Sequence, residues 1–299
     1  MGDILTRGTL LPTVVTNELF SKVRGKSSLA RLSASEPIPF NGETIFTFSL
    51  DKEVDLVAEN GAKSNGGATV ATVTMQPVKV EYGFRVSDEF KYGSEEIRLQ
   101  YLTAFADGFA KKVARGLDIM AIHGLNPRTA LTAPTLANRN FDDLVTNVVV
   151  FDSDKPQDNI TAGIAMIGDE IDVTGLAMAP AMKAALANLK TAKDSNIPLF
   201  PELGWGATLT SLNGLAADSN TTVSFASSVD RALVGNFADY FKWGFAKQIP
   251  IEVIEYGDPD NSGYDLKGHN QVYIRGEAYI GWGILDKDAF ALVKAGASA

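Results

Sequence analysis

The clearest apolar pattern in the chain has the period of a helix. Ile97, Tyr101, Phe105, Phe109, Val113 and Leu117 recur every fourth residue, and Met120 continues the stripe. That spacing gathers side chains on one face of an α-helix. Ser94 is a suitable N-cap, Glu95 and Glu96 suit the positive end of the helix dipole, and Gly124 is a suitable terminator. The sequence therefore predicts a helix over residues 95–123, whose 29 residues would span about 43 Å at ~1.5 Å per residue. Globular helices average about 11–12 residues, so this one reads as a strut. His123 sits on its last turn, where a cation is expected to complement the dipole.

A second pattern has period two. Val78, Val80, Tyr82, Phe84 and Val86 alternate strictly, as in a strand with one apolar face. Upstream, Ile45, Phe46, Phe48 and Leu50 lead into Val54, Leu56 and Val57; Val70, Val73 and Met75 resume after a polar, Gly-rich stretch, residues 58–69. Residues 44–86 thus predict a long hairpin with its tip at 58–69. A lone two-stranded hairpin is marginal in water, so it needs its own body or a neighbour to lie on. A Pro/Thr/Asn-rich connector spans 126–140, and a mixed α/β region begins near Phe141. That region predicts a helix around Thr161–Glu170, a strand at Leu176–Ala179, a helix opening at Pro180, a strand at Ala232–Val234 and another through Ile249, Ile251, Val253 and Ile254. The C-terminus returns to β character after a polar loop, 257–270. The aromatic cluster Phe237, Tyr240, Phe241, Trp243 and Phe245 reads as core, because only Lys242 and Lys247 interleave it. At the other end, Thr16–Val23 predicts a short helix within an otherwise extended arm. The fold class is α+β.

Composition narrows the function classes. The chain has 299 residues, enough for two domains, and is acidic, with 27 Lys plus Arg against 36 Asp plus Glu. A net charge of −9 disfavours tight nucleic-acid binding, which needs a basic face. The absence of Cys excludes disulfides, thiol catalysis and Cys-ligated metals. With no long apolar run and no signal-like N-terminus, the expectation is a soluble protein that avoids membranes. Residues 1–36 carry five basic and three acidic side chains, a local +2 that leaves −11 on the rest.

Chemical motifs are incomplete. Gly25-Lys26-Ser27 matches the end of a phosphate loop, but Phe20 stands where its first Gly belongs. Asp258, Asp260, Ser262 and Gly263 imitate a calcium loop, yet His269 occupies the position of the bidentate Glu, so a solvated turn is expected. No nucleophile elbow or zinc-protease pair occurs. The reading is no catalytic residues, no metal and no cofactor. An acidic carboxylate-dependent hydrolase stands as a third reading, because carboxylate spacing alone is unspecific.

Four blocks carry a resemblance: LLPTVVTNELFSKVRGKSSLARLS (10–33), KVEYGFRVSDEFKYGSEE (79–96), FADGFAKKVARGLDIMAIHGLNPRT (105–129) and YIRGEAYIGWGILDKDAFALV (273–293). In this order they resemble the major capsid proteins of tailed bacteriophages with the Hong Kong 97-type fold, over nearly the whole chain. The resemblance implies an N-terminal arm (1–36), an E-loop hairpin (37–86), a peripheral domain with its spine helix (87–150), an axial domain (151–264) and return strands of the peripheral domain (265–299). It implies self-assembly through hexamers and pentamers into an icosahedral shell around double-stranded DNA, without sequence-specific DNA binding. Scaffolding, portal and decoration proteins are candidate partners, and the expected location is the virion capsid, assembled in the host bacterial cytoplasm. An encapsulin-like compartment around a cargo enzyme is the alternative.

The expected inter-subunit contacts are Glu59, Asn60, Gly61, Lys63 and Ser64 at the hairpin tip, and Arg7, Lys22, Arg24 and Lys26 on the arm. The type member of the family crosslinks a loop Lys to an Asn of a neighbour. Lys63 is the candidate donor here, set against the simpler expectation of a solvated lysine. The type member also carries a removable scaffolding segment ahead of its matching part. Here the match starts almost at Met1, so the chain is expected either to be already trimmed or to rely on a separate scaffolding protein, with an initiator-like Met1 on the side of the second.

Overall fold

A computed structural model describes residues 26–192, 195–204, 206, 208–247 and 251–296. The helix expected at Thr16–Val23, the arm residues Arg7, Lys22 and Arg24, and Ile249 lie outside the described residues.

The chain opens with the short helix α1 (Ser28–Leu32), capped by the Ser27 hydroxyl, which accepts from the Ala30 N–H. Strands β1 (Glu43–Leu50) and β2 (Ala68–Met75) pair antiparallel as a two-stranded hairpin, with Phe48 opposite Val70. Next come β3 (Val78–Ser87) and the strut, α2 (Glu95–His123). The strut ends match their sequence signals. The Ser94 hydroxyl accepts from the Ile97 N–H, and Gly124 at φ 64° donates its N–H to the Met120 carbonyl. Left-handed backbone of that kind costs glycine little.

The remaining elements are α3 (Phe141–Leu144), β4 (Val148–Phe151), α4 (Pro156–Ile167), β5 (Gly175–Met178), α5 (Pro180–Ala187), β6 (Ser211–Leu212), β7 (Leu215–Ser219), β8 (Asp230–Gly235), α6 (Phe237–Tyr240), β9 (Phe241–Lys247), β10 (Ile251–Ile254), β11 (Gln271–Ile284) and β12 (Phe290–Ala295).

Besides the hairpin, the described strands form two sheets. In a four-stranded sheet, β11 pairs with β3 along one edge, and with β10 and then β9 along the other. A six-stranded sheet has the order β4-β12-β8-β5-β7-β6. Period-2 alternation splits the six-stranded sheet between two cores. Ala177, Leu233, Phe290 and Leu292 join the core around α2, with Trp243, Trp282 and Phe141. Leu176, Met178, Val234, Ala291 and Val293 join a second core with Met182 and Leu186 of α5 and Phe200 and Leu203 beyond it. The aromatic cluster is core, as expected: Phe237, Phe241 and Trp243 are buried.

The expected course of the hairpin fails at both ends. The alternating run 78–86 is a strand, but it is no limb of the hairpin; β3 leaves at Gln76-Pro77 and pairs with β11 over ten residue pairs, Gln271–Ile280. The apolar pattern specifies a strand with one buried face and carries no information on its partner. Val54, Leu56 and Val57 also lie outside the strands, so the tip is longer than expected, from 51 to 67.

Candidate inter-subunit surface

The hairpin stands away from both cores. Phe46, Phe48, Leu50 and Val70 share one of its faces, by register and alternation, and all four are exposed. At the tip, Val54 and Leu56 are 97% and 98% exposed. Apolar side chains of this size gain roughly 1.5–3 kcal/mol each on full burial, so a contiguous exposed set marks a surface for a partner. The root, by contrast, is fixed. Met75 is buried against Gly283 of β11, Arg139 donates from Nη2 to the Gln76 carbonyl at 2.5 Å, and the Trp282 indole donates to the Arg139 carbonyl at 2.8 Å.

Glu59, Asn60, Gly61, Lys63 and Ser64 all lie at the exposed tip. Asn60 has φ 65°, and the Gly61 N–H closes a turn onto the Ala58 carbonyl at 2.8 Å. Lys63 has no partner among the described residues, which fits a solvated lysine. The long helix is also half bare: Ile97 is 61% exposed, and Leu99 and Tyr101 are exposed, whereas 116–123 is buried throughout.

The arm enters the body through a carboxylate that sequence reasoning did not single out. Asp118, wholly buried on α2, accepts from the Ser27 hydroxyl, the Ser28 N–H at 2.9 Å, the Leu29 N–H at 3.2 Å and the Thr222 hydroxyl at 2.7 Å. Burial pushes its pKa up, against the pull of those four donors. Ser27, the last residue of the phosphate-loop imitation, is thus a helix cap and an arm anchor. Beside it, Arg31 pairs with Asp218 at 2.6 Å. Lys26 is exposed, and its carbonyl accepts from Asn220. Residues 35–38 then run alongside β9, where Glu36 donates its N–H to the Trp243 carbonyl at 2.9 Å.

His123 is the expected cation at the helix end, but its partners are groups on other elements. It is buried; Nδ1 lies 2.8 Å from Asp142 and 3.2 Å from Asp230, and Nε2 lies 2.9 Å from the Thr222 carbonyl. A carbonyl only accepts, so Nε2 carries a proton; two carboxylates at Nδ1 hold the second. Burial opposes that charge, but the hydrogen bonds to Asp142 and Asp230 prevail and push the imidazole up to about 9. Lys294 closes the cluster, 2.7 Å from Asp142 and 3.4 Å from Asp230. Burial disfavours its charge as well, and the same two carboxylates raise its pKa. Two cations and two anions thus tie α2, α3, β8 and β12 together with no net charge. His123, Asp142 and Asp230 have metal-ligand spacing, yet a cation there would have to displace the imidazole proton beside a lysine already in place. The cluster suits a structural clamp.

The calcium-loop imitation also finds a cation, a guanidinium. Arg85 of β3 reaches Asp258 at 2.7 Å, Asp260 at 2.6 Å, Ser262 at 2.5 Å and the Tyr264 carbonyl at 2.8 Å. The Arg85 hydrogen bond holds Asp260 far below the usual carboxylate range. Lys267 lies over the Tyr256 ring, and the His269 ring meets Tyr264 edge-on.

A projecting apolar hairpin on a strut helix and an internally clamped body leave a surface that needs a partner. The fold is the Hong Kong 97 type. The sequence matches the Phage capsid family over residues 7–295, and the chain belongs to that family. A solved structure from Mycobacterium phage Ogopogo is 34% identical over 91% of this chain and 92% of its own, with a TM-score of 0.75. One from Gordonia phage Cozz is 24% identical over 91% and 87%, with a TM-score of 0.72. A chain from the capsid of an empty GTA particle, 14% identical over 91% and 90%, shares the fold at a TM-score of 0.65. No curated protein matches the sequence. The family is a structural one of the virion capsid, not an enzyme class, and these likenesses do not favour the encapsulin alternative.

Proposed function

We propose that the chain is the major capsid protein of a tailed phage, assembling through hexamers and pentamers into the icosahedral head around a double-stranded DNA genome. The observation that carries this reading is the hairpin, whose apolar face and tip are bare in the single subunit; burial on a neighbour would supply the cover that a lone hairpin lacks. Its tip residues Glu59, Asn60, Gly61, Lys63 and Ser64 make that contact, and Arg7, Lys22, Arg24 and Lys26 extend the contact along the arm. The hairpin and arm are units distinct from a peripheral part around α2 and β11 and an axial part around the six-stranded sheet. An acidic chain suits a container whose DNA must stay free to move. Scaffolding, portal and decoration proteins are its further partners, and assembly takes place in the host bacterial cytoplasm. Negative-stain microscopy of purified protein tests the reading. Uniform shells tens of nanometres across support it; compact monomers under every assembly condition would overturn it.

A further inference from the structure

At the hairpin root, between β2, the turn before α3 and the end of β11, lies a cleft of about 290 Å³. Thr72, Thr74, Asn138, Arg139, Trp282 and Lys287 are among the residues that line it, and no acidic side chain does. Arg139 is only partly exposed and lies over the Trp282 ring at 5.4 Å. Its Nη groups reach two carbonyls, Gln76 at 2.5 Å and Thr135 at 3.5 Å. Its Nε is buried without an acceptor, and no carboxylate pairs with it among the described residues. Burial alone pulls its pKa down. Lys287 is exposed and also unpaired among the described residues. Elsewhere Arg31, Arg85 and Lys294 each hold a carboxylate within 4 Å. In a chain of net charge −9, two cations on an acid-free cleft mark a place for an anion.

The hairpin tip supplies the complementary charge. Residues 51–67 contain Asp51, Glu53, Asp55 and Glu59 against Lys52 and Lys63, a net −2. Asp51 accepts from the Gly67 N–H, whereas Glu53, Asp55 and Glu59 are exposed and unpaired among the described residues. Strands of eight residues put the tip about 26 Å from the root, out of reach of the subunit's own cleft. We propose that the Arg139–Lys287 cleft receives a carboxylate from the hairpin tip of a second copy of this chain. The contact joins tip to root, so it is heterologous, and repetition carries it head to tail around a ring. It rests on the shell reading above and names the residues that orient one subunit on the next.

The test is charge exchange in assembling full-length protein, read by sedimentation. K287E, and separately the triple tip variant E53K/D55K/E59K, change only exposed side chains. Each is expected to raise the concentration for half-maximal assembly about tenfold, with circular dichroism unchanged. Combining the two sets restores opposite charges and is expected to recover at least half of that loss. K287E assembling like the wild type, or a combination no better than its parts, overturns the contact. So does unchanged assembly with weakened DNA retention, which would make the anion a phosphate. Wild-type protein that forms no shells would instead remove the proposed function, and so separates the two failures.

Discussion

Raising the pH should release a clamp that holds the strut helix to the sheet. His123 is protonated with a pKa of about 9 in the folded subunit against an ordinary 6.5. The charged imidazole therefore stabilises the fold fully below pH 6.5, and this contribution is lost as pH rises through 9. A shift of that size corresponds to about 3 kcal/mol at ~1.4 kcal/mol per unit. His123→Gln should remove the pH dependence and leave Asp142 and Asp230 sharing Lys294 alone. Leaving buried charge short of a partner costs about 3–5 kcal/mol near pH 6. Urea unfolding of unassembled subunits at half-unit pH steps from 6 to 9.5 measures both effects. The wild type should lose stability progressively across that window, and the gap to the variant should narrow towards pH 9.5. Parallel curves at every pH would refute a protonated His123 in this cluster.

Four further outcomes are expected. Deleting residues 58–69 should leave a folded subunit by circular dichroism but abolish stable shells in electron micrographs; normal, equally stable shells would count against the hairpin's role. Asp118→Ala strands the Ser28 and Leu29 N–H groups in a buried site, at a cost of about 2–4 kcal/mol, and limited proteolysis should then cut earlier near residues 27–33. Gly244→Ala places a methyl 1.6 Å from the Glu36 carbonyl oxygen, which must push residues 35–38 off β9; hydrogen exchange at the Glu36 amide should lose its protection. Mass spectrometry of denatured shells should return single-subunit masses, with Lys63 in non-covalent contact only; covalent ladders would show a crosslink.

Local features were legible in the sequence, and long-range pairings were not. The strut helix is written in its own residues: a hydroxyl at Ser94, an i+4 stripe and a glycine at 124 able to take positive φ. The aromatic cluster around Trp243 likewise carries its burial in its composition. β3 was readable as a strand, but its partner β11 lies about 190 residues on, and alternation cannot name a partner. His123 reads as a helix-end cation because its dipole is local, whereas Asp142 and Asp230 come from other elements. The Asp258–Gly263 turn shows ligand-like spacing without showing that Arg85, on a distant strand, fills it. Asp118 left no signal at all, since one aspartate on an apolar helix face resembles any other until the arm folds over it.

The connection between hairpin and body has a mechanical side. Only Gln76 and Pro77 separate β2 from β3, and β3 lies antiparallel to β11 along ten residue pairs. Tension drawn along β3 loads that ladder in shear. Sheared strands resist with all their backbone hydrogen bonds at once, whereas peeled strands open one bond at a time. A pull along β3 would therefore meet the subunit in a strong direction, and a force that lifted β3 away from β11 at one end would find a weaker one.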